Sequence, residues 1–196
     1  GDMLVVGAYG NDEHGSVYIF DRDQGGPDNW GQVQKITASD GAVGDCFGYS
    51  VSIGGDTIVV GAYRDDDNGV DRGSAYIFRR DGNIWTQEEK LTASDGAAED
   101  WFGFSVAISG WYAIVGAKGD DDNGSDSGSA YMFNRSGIAW AQQAKLIASD
   151  GDVDDHFGFS IAVVGDNMLI GAYGDDDNGS NCGSVYVFTP IVNEMV

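Results

Sequence analysis

The chain is poor in positive charge. Ten lysines and arginines stand against 32 acidic residues, leaving a formal charge of -22 over 196 residues. A surface of that sign repels phosphate, which excludes DNA, RNA and anionic membrane surfaces as partners and leaves cations and basic surfaces. Cysteine is scarce as well, and two copies, Cys46 and Cys182, are too few for a disulfide scaffold and show no metal-ligand spacing. Glutamate is nearly missing: 27 of the acidic residues are aspartate and five are glutamate. General solubility would be served by either acid, so the bias points to short side chains used in turns and for ligating hard cations. No run approaches the roughly eighteen apolar residues of a membrane-spanning helix, so membrane insertion is not expected. No N-terminal signal is present, and the chain starts at Gly1 in mid-pattern, as a processed product or a fragment would. Finally, no segment sustains a helical period, which removes helical bundles and α/β folds.

What is present is a repeat. (Val/Ile)-Gly-Ala, an acidic loop and then Gly-Ser-(Ala/Val)-Tyr-x-Phe occur four times, with Gly7, Gly61, Gly116 and Gly171 at spacings of 54, 55 and 55 residues. Such a period means one supersecondary unit per repeat, each unable to bury its apolar face alone, so neighbours must stack. The units run over about 1-46, 47-101, 102-156 and 157-196, and together form one domain spanning 1-196.

Within the third unit, Phe102 to Ile108 alternates large apolar residues with Gly103, Ser105 and Ala107, a strand with one bulky and one small face. Residues 113-117 are apolar on both faces, 129-133 form a third strand, and 140-147 a more polar fourth. Lys35, Lys90 and Lys145 recur at one position of that fourth strand, where lysine would guard an exposed edge against unwanted pairing. The expected fold is all-β: a β-propeller of four four-stranded antiparallel blades. The chain enters at a second strand (residues 3-8) and leaves after a third (184-188), so the first and last blades are incomplete, unless residues 189-196 supply a last strand. The result is a four-bladed ring closed imperfectly, a piece of a larger propeller, or a subunit completed by a neighbour.

These residues resemble the FG-GAP repeat family, the propeller repeats of integrin alpha chains and many bacterial surface proteins. Phe47-Gly48, Phe102-Gly103 and Phe157-Gly158 supply the FG, and Gly61-Ala62, Gly116-Ala117 and Gly171-Ala172 the GA, with Tyr63, Lys118 and Tyr173 in place of the proline. The resemblance implies an extracellular or cell-surface setting and, in integrin-like repeats, calcium bound between the first and second strands. Here that connection is only Gly54-Gly55-Asp56 or its equivalents, too short to wrap a cation. Acid has collected between the second and third strands instead, and this loop lies on the same face of a blade as the connection to the next blade. Together the two loop sets hold 20 of the 27 aspartates, so one face of the propeller should be strongly negative.

The loops after the second strand have D-x-D-x-G-x-D spacing, like the start of calcium loops in which alternate side chains point inward and glycine permits the turn. Asp65, Asp67, Asp71, Asp120, Asp122, Asp126, Asp175 and Asp177 are the candidate calcium ligands; the competing reading is that Asp, Asn and Gly simply make good turns. Trp30, Trp85 and Trp140 recur in register and read as blade-packing residues. Trp101 and Trp111-Tyr112 break the repeat and are candidate partner contacts, for a protein, a glycan or another subunit. His14 and His156 lack the partners of a nucleophilic triad and read as surface residues. Because the acids are repeated equivalents, none is set apart as a catalytic acid, and repetition favours binding or structure over catalysis. The cysteines sit in different blades and pair, if at all, between subunits. The sequence therefore points to a non-enzymatic adhesion or structural module using calcium on its acidic face, or to a self-assembling subunit of a filament or layer, or to a glycan-binding propeller.

Overall fold

The protein is described by a computed structural model, which covers residues 2-177, 179-180 and 182-189. Four antiparallel sheets follow one another along the chain. The first contains β1 (Met3–Ala8), β2 (Ser16–Asp21) and β3 (Gly31–Ile36). The second contains β4 (Ser50–Gly54), β5 (Thr57–Ala62), β6 (Ser74–Asp81) and β7 (Ile84–Leu91). The third contains β8 (Phe102–Ser109), β9 (Tyr112–Ala117), β10 (Ser129–Ser136) and β11 (Ala139–Leu146), and the fourth β12 (Phe157–Val164), β13 (Asn167–Ala172) and β14 (Ser184–Phe188). Among the described residues the counts of three, four, four and three strands match the sequence reading. The only helical element among the described residues is a single 3-10 turn at Asn11–Glu13. Residues 190-196, part of the stretch considered as a last strand, lie outside the described residues.

Each sheet is a simple up-and-down meander, so its side chains alternate between two faces, and both faces are apolar because the sheets stack on one another. One face of the second sheet, with Ile58, Val60, Tyr76 and Phe78, packs against Val17 and Ile19 of the first. Its other face, with Val59, Ala75 and Ile77, packs against Ala113, Val115, Tyr131 and Phe133 of the third. The third sheet repeats the joint onto Met168, Ile170 and Ala172 of the fourth. The strand that opens a blade lies at the centre of each joint: β8 packs on β4 and β5, and β12 on β8 and β9. That is why the Phe-Gly pair recurs. Gly48, Gly103 and Gly158 all have positive φ, near 85-91°, and each backbone presses on the preceding blade too closely for a side chain.

Trp85 and Trp140 are buried in these joints, as expected of blade-packing residues, whereas Trp30 is 45% exposed. The difference is positional, since Trp85 and Trp140 each lie against a preceding described sheet and Trp30 does not.

Candidate functional site

The acidic loops and the interblade connections do lie together, and what they converge on is lysine. In the second blade Lys90 Nζ sits 2.8 Å from Asp40, 2.7 Å from Asp65 and 2.7 Å from Asp67. In the third, Lys145 Nζ lies 3.1 Å from Asp95, 2.8 Å from Asp120 and 2.5 Å from Asp122. Tyr76 and Tyr131 complete the sets by donating their hydroxyls to Asp65 at 2.6 Å and Asp120 at 2.7 Å. The register explains the construction. Lys90 pairs with Tyr76 and Lys145 with Tyr131 across the third and fourth strands, so ammonium and phenol reach the same carboxylate side by side.

The expectation that these lysines guard an exposed edge is therefore corrected. Both side chains are only 19% exposed and are held as counter-ions within the acidic face. Burial alone would lower their pKa, but the hydrogen bonds each donates to three carboxylates outweigh it and hold both ammonium groups above the ordinary lysine value. Asp40 and Asp95 feel the same balance from the other side. Burial raises each carboxyl, and the paired lysine and neighbouring tyrosine more than reverse it. Burial first, and then the hydrogen bond to Asp65 or Asp120, push the Tyr76 and Tyr131 hydroxyls upward, so both stay protonated donors.

The candidate calcium ligands divide accordingly. Asp65, Asp67, Asp120 and Asp122 point at lysine, and Asp40 and Asp95, one blade earlier in sequence, join them. Asp71 and Asp126 stand apart, at φ near 50°, and contribute through their backbone carbonyls, which accept from Trp101 N at 3.2 Å and His156 N at 3.0 Å. In the fourth blade Asp175 and Asp150 both accept from the Tyr186 hydroxyl, at 2.7 and 2.8 Å, and Asp175 also accepts from the amide of Asp177. No lysine or arginine follows Lys145 in the sequence, so this chain offers the fourth set no ammonium of its own strand. The first blade is degraded in a balanced way: neutral Asn11 takes the place of the aspartate under Tyr18, and Lys35 pairs with Asp12. Among the described residues, no three His, Cys, Asp or Glu side chains converge in a geometry suited to a metal ion.

A further set of aspartates, Asp45, Asp100 and Asp155, is buried beneath the interblade connections. Each accepts the backbone amide three residues earlier, Asp100 from Ala97 at 2.6 Å. Desolvation raises all three, and Asp100 reaches about 6. Their role is to close the loop that feeds each Phe-Gly.

Next to the acid runs a row of aromatics that the sequence reading missed. The residue after each Phe-Gly and the residue after each Gly-Ala fall at the same end of neighbouring strands, and their rings meet across the blades. Tyr9 contacts Tyr49 with centroids 5.4 Å apart, Tyr49 meets Tyr63 at 4.5 Å and Phe104 at 5.0 Å, and Phe104 meets Phe159 at 5.3 Å. Phe159 meets Tyr173 at 4.5 Å, and Tyr173 stacks on His156 at 4.9 Å. Tyr9, Tyr49, Phe159 and Tyr173 are all exposed. Trp101 joins this row through Lys118, whose ammonium lies 4.1 Å from the indole and 4.9 Å from the Phe104 ring. His156 is tied to the row by its stacking, and its Nδ1 lies 3.2 Å from the Lys118 carbonyl; with His14 half-buried too, neither histidine is the free surface residue expected. The signal was available in the repeated Phe-Gly-(Tyr/Phe) and Gly-Ala-(Tyr/Lys), but only the stacking of blades brings those positions together.

Trp111 is at the opposite end of the blades, 60% exposed, with the Arg135 guanidinium 5.8 Å over its ring, and Tyr112 begins β9 beside it. The two tryptophans thus mark different surfaces. Cys46 and Cys182 are both free thiols here.

Sheets that meander, stack face to face in chain order and present their turns at two ends are the blades of a β-propeller. The FG-GAP repeat family matches residues 30–78, 85–133 and 140–188, about three quarters of the chain, and the protein belongs to that family. Among solved structures, TolB from Acinetobacter baumannii is similar with a TM-score of 0.47 and 15% identity. That similarity covers 98% of this chain but 41% of TolB, so the chain spans less than half of that protein's length. The comparison with curated proteins returned no significant match.

Proposed function

We propose that this FG-GAP propeller module is a non-enzymatic adhesion or structural domain, extracellular or cell-surface, whose acidic face binds a protein or glycan partner. The observation that carries the reading is the exposed aromatic row set beside the aspartate loops. Aromatic faces supply rigid contact area, and carboxylates beside them accept hydrogen bonds from hydroxyl or basic groups. FG-GAP repeats are typical of surface proteins, and among the described residues no helix is long and apolar enough to cross a membrane.

Calcium has one place in this reading, the fourth blade. Two carboxylate sets have lysine as their cation, while among the described residues Asp150, Asp175 and Asp177 have none, and calcium at extracellular concentration supplies the missing charge. Thermal melting with and without millimolar calcium tests it. The expected rise is about 2–4 °C, for about 1 kcal/mol of binding linkage in a domain of this size, and it disappears in Asp175→Asn. A melting curve indifferent to calcium and to chelator removes the metal from the function.

A second reading, a subunit that assembles through its ends, is favoured by the uncovered faces of the first and last blades. Leu4 and Val6 on one, and Val185 and Val187 on the other, are exposed where their counterparts are buried. Sedimentation that shows a strict monomer across a wide concentration range would remove it.

A further inference from the structure

Arginine is used differently from lysine in this chain. Backbone amides of Arg22, Arg80 and Arg135 bond to the carbonyls of Asp2, Asp56 and Trp111, at the end of each blade away from the acidic loops. At that end, in the joint between the second and third blades, an open cavity of about 450 Å3 is lined by Asp56, Thr57, Arg79, Ser109, Trp111 and Arg135. Both blades have their four strands and every residue from 50 to 146 is described, so the cavity belongs to a complete joint.

Two cations in this wall lack partners. Arg135 is buried, with a side chain only 6% exposed. Its Nη2 donates to Glu88 Oε1 at 2.9 Å, whereas its Nε is buried without an acceptor among the described residues. A buried charged donor without an acceptor is costly, and rare in folded proteins. Arg79 lines the same cavity and forms no ion pair among the described residues. The equivalent of Arg135 one blade earlier shows the contrast. Arg80 donates from Nε to the Gly82 carbonyl at 2.8 Å, and the cavity beside it is lined by the acidic Asp21 and Asp23.

The rest of the lining selects the ligand. Trp111, where the second and fourth blades have Asp56 and Asp166, offers an exposed indole, a flat apolar surface on which a sugar ring can pack. Asp56 repels a bare anion but accepts hydrogen bonds from hydroxyl groups. Donors for a carboxylate, an acceptor for hydroxyls and an aromatic face in one cavity fit a ring that carries all three counterparts. The net charge of the chain does not oppose this. A six-residue strand such as β9 is about 20 Å long, and at physiological salt charges are screened over about 8 Å, so the acidic loops at the far end act only weakly here.

We propose that this cavity binds an acidic sugar, a hexuronate unit, with its carboxylate paired to Arg135 and Arg79, its hydroxyls donating to Asp56 and its ring against Trp111. Guanidinium and carboxylate are both planar and meet in two parallel hydrogen bonds, a match lysine cannot make. The cavity is at the opposite end from the acidic face, so failure of this proposal leaves the reading of that face intact.

The test follows the indole N–H of Trp111 in proton–nitrogen correlation spectra of the full chain, its peak identified by its loss in Trp111→Phe. Methyl glucuronide is titrated at constant ionic strength, with methyl glucoside and acetate in parallel. The glucuronide is expected to shift the peak saturably, with half-saturation below about 10 mM, and the other two to bind at least about tenfold more weakly. Arg79→Gln should weaken the glucuronide at least about tenfold. Arg79 has no ion pair to lose, so an unchanged melting temperature in that variant confirms that the fold is intact. The proposal is overturned if no saturable shift appears by about 50 mM glucuronide. It is overturned too if the glucoside binds as well, which makes the cavity a neutral-sugar site, or if acetate binds as well, which makes it a site for any anion. Undiminished affinity in Arg79→Gln overturns it equally.

Discussion

Replacing Lys145 by methionine keeps the aliphatic stem and removes one ammonium from three carboxylates at 3.1, 2.8 and 2.5 Å. Taking one partner from a fully buried ion pair costs about 3–5 kcal/mol, because the other charge is left desolvated. Here Asp120 is buried, but Asp122 is largely exposed and Asp95 partly so, and water recovers part of the loss. The expected destabilisation is about 2–3 kcal/mol, or about 4–12 °C in melting temperature for a domain of this size. Differential scanning calorimetry in low salt measures it, with Arg22→Met, at an exposed pair, as the control expected to move by less than about 0.5 kcal/mol. Combining Lys145→Met with Asp120→Asn should recover at least about 1 kcal/mol of the sum of the single losses, since the orphaned charge is gone. The single variant should also gain a calcium-dependent rise in melting temperature, three carboxylates then facing one another without an internal cation. A shift of less than about 1 °C for Lys145→Met, with additive behaviour in the double variant, would refute the assignment of this lysine as the counter-ion of the acidic face.

Gly116→Ala should destabilise by more than about 3 kcal/mol, because the new methyl meets the Gly158 carbonyl at 2.1 Å and backbone must move. Gly171→Ala, which meets only the rotatable Ser160 hydroxyl, should cost about 1 kcal/mol or less; equal losses for the two variants in urea unfolding would refute the claim that the backbone contact across the joint sets the cost. Stability should also rise as pH falls from about 6 toward 4. Asp100, held near 6 by desolvation, binds its proton in the folded chain before the unfolded chain does, so folding is favoured by acid in that window. About 1–2 kcal/mol of this should vanish in Asp100→Asn, which keeps an acceptor for the Ala97 amide; an unchanged pH profile in that variant would assign the effect to general charge repulsion.

The strands were legible because their causes are local. Alternation of Val and Ile with small residues sets a period of two, Gly and Asp mark the turns, and four copies average out the ambiguity of any one segment. The concentration of aspartate on one face was legible too, since it follows from strand direction alone. The role of lysine was not. Lys90 reaches Asp65 and Asp67 from 25 and 23 residues away, and Asp40 from 50, so no spacing motif joins them. The calcium-like pattern in the loops was real as a pattern, yet two of its members, Asp71 and Asp126, act through backbone carbonyls, and the partners Asp40 and Asp95 come from the preceding connection. The aromatic row escaped for the same reason, each ring's neighbour lying in another blade.

From the sequence alone came the family and the strands of each blade, because a repeat of about 55 residues with strict alternation leaves few ways to bury its apolar faces. Stacking the blades decided the rest. Contact between units, which no single unit encodes, turned three edge lysines into two half-buried counter-ions and one exposed pair. It also gathered the aromatics beside the acid.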